Sequence, residues 1–146
     1  MSSFESVEMA VADRSRLVSM ARAGLPGEMC ALLGGQPGPP IRVMHIIAVR
    51  NVAASSNRFI LDGAEMLAAE DEIEAAGLEV VGLAHSHPAS HAEPSQIDLA
   101  DAEIYDSQNQ FIQVLVSLQG FAPAVKVWRY GTKSGQRCAF EMVLKS

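Results

Sequence analysis

The chain is poor in cysteine: Cys30 and Cys138 are the only two thiols among 146 residues. Two are too few for a disulfide scaffold and they form no CxxC pair, so both read as buried thiols in a reducing compartment, with a Cys30–Cys138 disulfide as the alternative. No apolar run approaches the roughly 18–20 residues that span a bilayer. The start MSSFESVEMA is acidic where a secretory leader is basic, which points to the cytoplasm. Lys and Arg number 11 against 17 Asp and Glu, for a net charge of −6, and no basic cluster stands out. The electrostatic footprint that a nucleic-acid backbone demands is missing, whereas metal cations are tolerated by such a field. Aromatics make up 5% of the chain. What is plentiful is ordinary apolar residues, 49% of the chain against 19% charged, a composition that folds around a core. No repeat or linker divides residues 1–146, and one domain is expected.

The pattern alternates strands and helices. Residues 4–11, FESVEMAV, read as a strand, and Asp13 as the cap of a helix with Leu17, Val18, Met20 and Ala21 on one side, stopped by Gly24 and Pro26. EMCALLGG (28–35) and IRVMHIIAVRNV (41–52) read as strands joined by the hairpin tip QPGPP. Asp62 and Glu65 stand at capping-box spacing before a helix to about Ala76, ended by Gly77. LEVVGLAHSH follows as a strand whose nearly continuous apolar run implies burial on both faces. Ser95 and Asp98 in SQID announce another helix, to about Ser107, before strand-like segments near 110–118, 122–130 and 136–145. The sum is a mixed α/β (α+β) fold with one largely antiparallel sheet and about three helices.

Three of the four histidines fall within seven residues, in AHSHPASH. His85 and His87 are two apart, so on a strand both side chains leave the same face. Asp98 follows His87 by eleven residues, at the first turn of the next helix, and a chain that doubles back there sets a carboxylate beside two imidazoles. Two nitrogens and one oxygen suit a catalytic zinc ion, whose fourth position stays open. Taken singly, HxH and SxxD are ordinary strand and helix-start features. Together they point to a metal site, because unpartnered imidazoles at the end of an apolar strand are costly. Glu28, by its own surroundings, reads as a surface residue after a turn. His45 reads as a hydrogen-bonded histidine of the sheet, His91 as an exposed loop residue, Cys30 as packing, and Asp101, Glu103 and Asp106 as a solvated acidic helix face.

Glu28, His85, His87, Ser95 and Asp98, at these offsets, resemble the JAMM (MPN-plus) zinc metalloproteases: an upstream Glu, HxH, ten residues and Asp, with Ser three places before the Asp. PGEMCALLGG is similar to the family's entry into its first buried strand, although Ala31 stands where many relatives have Gly, and Leu83 and Ala84 where many have aromatics. The resemblance covers nearly the whole chain in element order and implies an MPN, cytidine-deaminase-like architecture. It also implies that His85, His87 and Asp98 bind zinc, that Glu28 is the general base and that Ser95 assists the oxyanion. The implied substrate is a ubiquitin-like or sulfur-carrier protein, cut at its Gly-Gly tail, which could thread a narrow groove and pair with a strand edge. The alternative is a non-catalytic MPN-type scaffold module, whose members typically lose a ligand or the Glu. An iron(II) facial triad usually has its carboxylate two residues after the first His, and neither HExxH nor PCxxC occurs, so these other metal chemistries fit the spacing less well.

Overall fold

The computed structural model describes residues 6–53, 55–131 and 137–145, without the side chains of 137–141. In chain order the elements are β1 (Ser6–Ala10), α1 (Val11–Ala23), β2 (Cys30–Gln36), β3 (Ile41–Val49), α2 (Gly63–Ala75), β4 (Glu79–His87), α3 (Gln96–Tyr105), β5 (Ile112–Ser117), β6 (Ala124–Tyr130) and β7 (Arg137–Lys145). The strands form one sheet in the order β1-β3-β2-β4-β5-β6-β7, which closes on itself where β1 pairs with β7. Ladders β2·β3, β2·β4, β5·β6 and β6·β7 are antiparallel, and β1·β3, β1·β7 and β4·β5 are parallel. The expected mixed sheet with three helices is what forms. No helix among the described residues is long and apolar enough to cross a membrane.

The parallel β4·β5 ladder positions the site. Two parallel neighbours need a crossover, here the segment containing α3, and both strands then end on the same side, His87 opposite Ser117. The crossover therefore departs where the histidine pair sits, the usual place for a ligand at the carboxyl ends of parallel strands. The strands approach closely at Gly82, where a Cβ would lie 2.1 Å from the Ile112 carbonyl oxygen.

The two faces of the sheet are covered separately. Leu17, Val18 and Ala21 of α1 pack with Leu33, Ala84, Val114 and Val116 on one face. Ala69 and Ile73 of α2 pack with Leu32, Val49 and Leu83 on the other. A fully buried side chain such as Ile73 contributes about 1.5–3 kcal/mol. β4 is buried along nearly its whole length, as its apolar run implied. Helix α1 starts differently from expectation: Ala10 is the N-cap, with no side-chain bond, and Asp13 sits inside the first turn. Ala10 is still paired to Lys145, so the chain passes from strand to helix without a linker in which Asp13 could cap. From there its charge favours the positive end of the helix dipole.

Candidate metal centre

Alternation along β4 sends His85 and His87 to the face of Leu83, and Ser86 to the opposite face. Nε2 of His85 and Nε2 of His87 are 3.2 Å apart, and they lie 3.2 and 3.0 Å from Oδ2 of Asp98. All three side chains are buried. A tetrahedral ion with bonds of about 2.0–2.1 Å separates its ligand atoms by about 3.3 Å, so this triangle has the size such an ion needs. The group could hold a metal ion.

The orientations of the three groups are fixed by their other bonds. His87 Nδ1 lies 2.6 Å from the carbonyl oxygen of His91, which can only accept, so Nδ1 carries a proton, and in the neutral ring the Nε2 lone pair faces the triangle. Asp98 is turned inward by the start of α3. The Ser95 N–H donates to Asp98 Oδ2 at 2.9 Å, and the Asp98 N–H donates to Ser95 Oγ at 3.0 Å, a reciprocal capping box. Phe59 stacks on His85 with ring centroids 4.4 Å apart.

Glu28 lies in the turn before β2 and is buried, whereas its own surroundings in the sequence implied a place at the surface. The antiparallel β2·β4 ladder explains the proximity, since Cys30 pairs with His85. Ser86 clips the turn to β4: the Met29 N–H donates to Ser86 Oγ at 2.7 Å, and the Ser86 N–H to the Met29 carbonyl at 3.0 Å. Burial, followed by repulsion from Asp98, raises the Glu28 carboxyl to a pKa of about 8 against an opposing pull from His87. Its Oε1 is buried without a hydrogen-bond partner, an arrangement that a neighbouring cation relieves. Burial also opposes the charge on Asp98, but hydrogen bonds from His85 and His87 outweigh it and hold this carboxyl below the ordinary carboxylate range. Burial of His87 is likewise outweighed, mainly by its bonds to Asp98 and His91, and its pKa is raised.

The loop between His87 and Asp98 is held by residues that the sequence had not marked. Ser117 Oγ donates to the Ser90 carbonyl at 2.6 Å and Trp128 Nε1 to the Ala92 carbonyl at 2.9 Å. The only advance signal for Phe59 was its place as an aromatic in the polar stretch SSNRFILDG. His91 is exposed, and His45 bonds Glu72 at 2.7 Å, both as expected. Cys30 is a free, buried thiol that donates to the Val49 carbonyl, and burial pushes its pKa up to about 12, which fits packing rather than reactivity. The side chain of Cys138 lies outside the described residues. The acidic face of α3 is only partly solvated: Asp106 is buried and accepts N–H bonds from Gln110 and Phe111, because it closes the turn after the helix. Asp101 forms a two-pronged bond with Arg58 at 2.9 and 3.1 Å.

The family profile described as prokaryotic homologs of the JAB domain matches residues 11–130. Two curated relatives both carry the name desampylase. The one from Pyrococcus furiosus is 42% identical over 72 residues, 49% of this chain and 49% of that protein, so the chain spans about half that relative's length. The one from Haloferax volcanii is 35% identical over 98 residues, 63% of this chain and 69% of that protein. Among solved structures, a Desulfitobacterium hafniense protein superposes with a TM-score of 0.84 at 27% identity, over 96% of this chain and 93% of that one. A Salinibacter ruber protein, 24% identical, shares the fold with a TM-score of 0.68 over 95% of this chain and 92% of its own.

Proposed function

The chain belongs to the family of prokaryotic homologs of the JAB domain, and from that membership we propose a single-domain zinc-dependent peptidase that cuts the peptide or isopeptide bond at the Gly-Gly tail of a ubiquitin-like or sulfur-carrier protein. The observation that carries this reading is the convergence of His85, His87 and Asp98 on one small triangle, electrostatically coupled to the buried carboxyl of Glu28. The two relatives named desampylase support a protein conjugate as substrate.

In this reading His85 and His87 hold zinc through Nε2 and Asp98 through Oδ2. Bound there, zinc supplies a Lewis acid that polarises the scissile carbonyl and lowers the pKa of water to about 7. Glu28 takes the proton of the attacking water and delivers it to the leaving nitrogen. In the metal-free site burial and Asp98 raise its proton affinity, and a cation held by the triad would oppose that rise, leaving the carboxylate able to accept the proton. The Ser95 oxygen is occupied as an acceptor within the capping box, which leaves its O–H as a donor to the negative charge developing on the carbonyl. Phe59 and the buried strand end exclude solvent from one side of His85. A tail of glycines fits a narrow approach because it has no side chains to clear. It does not add to β4 as a further strand, since β2 and β5 already pair that strand on both sides.

A metal-free scaffold is the competing reading, and the intact ligand set together with Glu28 favours the enzyme. The test is to incubate the zinc-loaded protein with small Gly-Gly-containing proteins, with and without a chelator, and to read the products by intact mass. Chelator-sensitive cleavage after the second glycine is expected. A folded protein that binds no zinc would favour the scaffold, and full zinc occupancy without cleavage of any Gly-Gly protein would remove this substrate class.

A further inference from the structure

Asn51, just beyond β3, uses its whole side-chain amide. Nδ2 donates to the carbonyls of Glu28 at 3.0 Å and Arg58 at 3.1 Å, and Oδ1 accepts from the N–H groups of Ala53 at 3.0 Å and Ile60 at 2.9 Å. Two donors and two acceptor positions are all that an amide offers. They join two segments that lie beyond the end of the β2·β3 ladder, whose last pair is Cys30 with Val49. One is the Glu28 turn, whose own N–H donates to the Ser55 carbonyl at 2.9 Å. The other is the loop after β3, closed by Val52 N–H to the Ile60 carbonyl at 2.9 Å and Asp62 N–H to the Arg50 carbonyl at 3.0 Å. That loop carries Phe59 against His85 and Arg58 against Asp101 of α3.

We propose that Asn51 is a positioning residue that fixes the Glu28 backbone relative to the Phe59-covered His85, so that proton carrier and ligand pair keep one geometry. The catalytic consequence rests on the peptidase reading, whereas the positional claim stands independently of it. Glu28 precedes β2 and has no ladder of its own, so its placement depends on such side bonds. A displacement of about 1 Å at a reacting group costs on the order of a hundredfold in rate. Asp supplies acceptors but no donor, Ala supplies neither, and the extra methylene of Gln moves the amide away from its four partners.

The experiment compares Asn51→Ala with wild type in two ways. In the metal-free protein, the Glu28 amide should exchange its hydrogen at least about tenfold faster, while the amides of β2 are unchanged. In the zinc-loaded protein, zinc content should hold and kcat should fall at least about tenfold with KM within about twofold, and the same substitution should cost nothing further in a Glu28→Gln background. Asn51→Asp, which keeps the acceptors for Ala53 and Ile60, should reproduce these effects and serves if Asn51→Ala does not fold. Unchanged exchange at Glu28, or a kcat loss that multiplies undiminished onto Glu28→Gln, overturns the proposal. If zinc-loaded wild type cuts no Gly-Gly protein, the peptidase reading falls and the exchange comparison alone decides on Asn51.

Discussion

One oxygen, Oδ2 of Asp98, takes the Ser95 N–H and also faces Nε2 of both His85 and His87. Groups so arranged must share a proton or a cation, and the two kinds of side chain at the site should respond differently to substitution. His87→Ala should abolish stoichiometric zinc binding. Glu28→Gln should keep both metal and fold yet lower cleavage by about a hundredfold or more, since it removes a proton carrier and no ligand. Metal analysis and single-turnover rates check both, and a Gln variant cutting at the wild-type rate removes Glu28 from the mechanism. The histidine pair was legible in the sequence because a strand repeats every two residues. Glu28 was legible only through resemblance, because the chain between them does not reveal that Cys30 will pair with His85. Asn51 and Ser86 gave no signal, since single polar residues become informative only when their partners are known.

At the scale of elements, helix starts decide where the charged groups point. The SQID signal correctly marked the start of α3, and its capping box also aims the Asp98 carboxylate. On the peptidase reading Ser95 has two separable tasks, capping α3 and donating its O–H to the oxyanion. Ser95→Ala should cost about 0.5–2 kcal/mol of stability, whereas Ser95→Gly should cost only about a few tenths, because glycine is a tolerable N-cap. Both should lose a comparable factor in cleavage, because both lack the hydroxyl. Denaturant melts and rates on the two variants separate the tasks, and full activity in Ser95→Gly would confine the serine to capping. Helix α2 also starts as the sequence implied, with Asp62 accepting the Glu65 N–H at 3.0 Å. That bond, followed by the one from Arg50, lowers the Asp62 pKa from 3.8. Its stabilising contribution is thus complete above pH 3.8 and lost as pH falls through the lowered value. Asp62→Asn should flatten that acid-side dependence in pH-dependent melts. The start of α1 was misread because a cap motif presupposes a loop, and β1 leaves none.

At the scale of the molecule, the sequence carried the number and order of elements but not their closure. Strand patterns say which residues are buried, and they are silent on pairing between β1 and β7, at opposite ends of the chain. They are equally silent on which neighbours run parallel, yet the parallel β4·β5 ladder is what collects the site at one end. Because the triad joins β4 to the start of α3, a metal held there ties the crossover to the sheet and should stabilise the folded chain as a whole. At a hundredfold excess over its dissociation constant, a ligand of the native state adds about 2.7 kcal/mol, or roughly 5–10 °C in Tm for a chain of this size. Chelation should lower Tm by about that amount in wild type and leave His87→Ala unmoved in a calorimetric scan. The most direct test of the account is anomalous scattering at the zinc edge from zinc-grown crystals. One peak about 2.0–2.1 Å from Nε2 of His85, Nε2 of His87 and a carboxylate oxygen of Asp98 is the result predicted. An ordered site with those three side chains and no peak between them, or zinc bound only elsewhere, would contradict it.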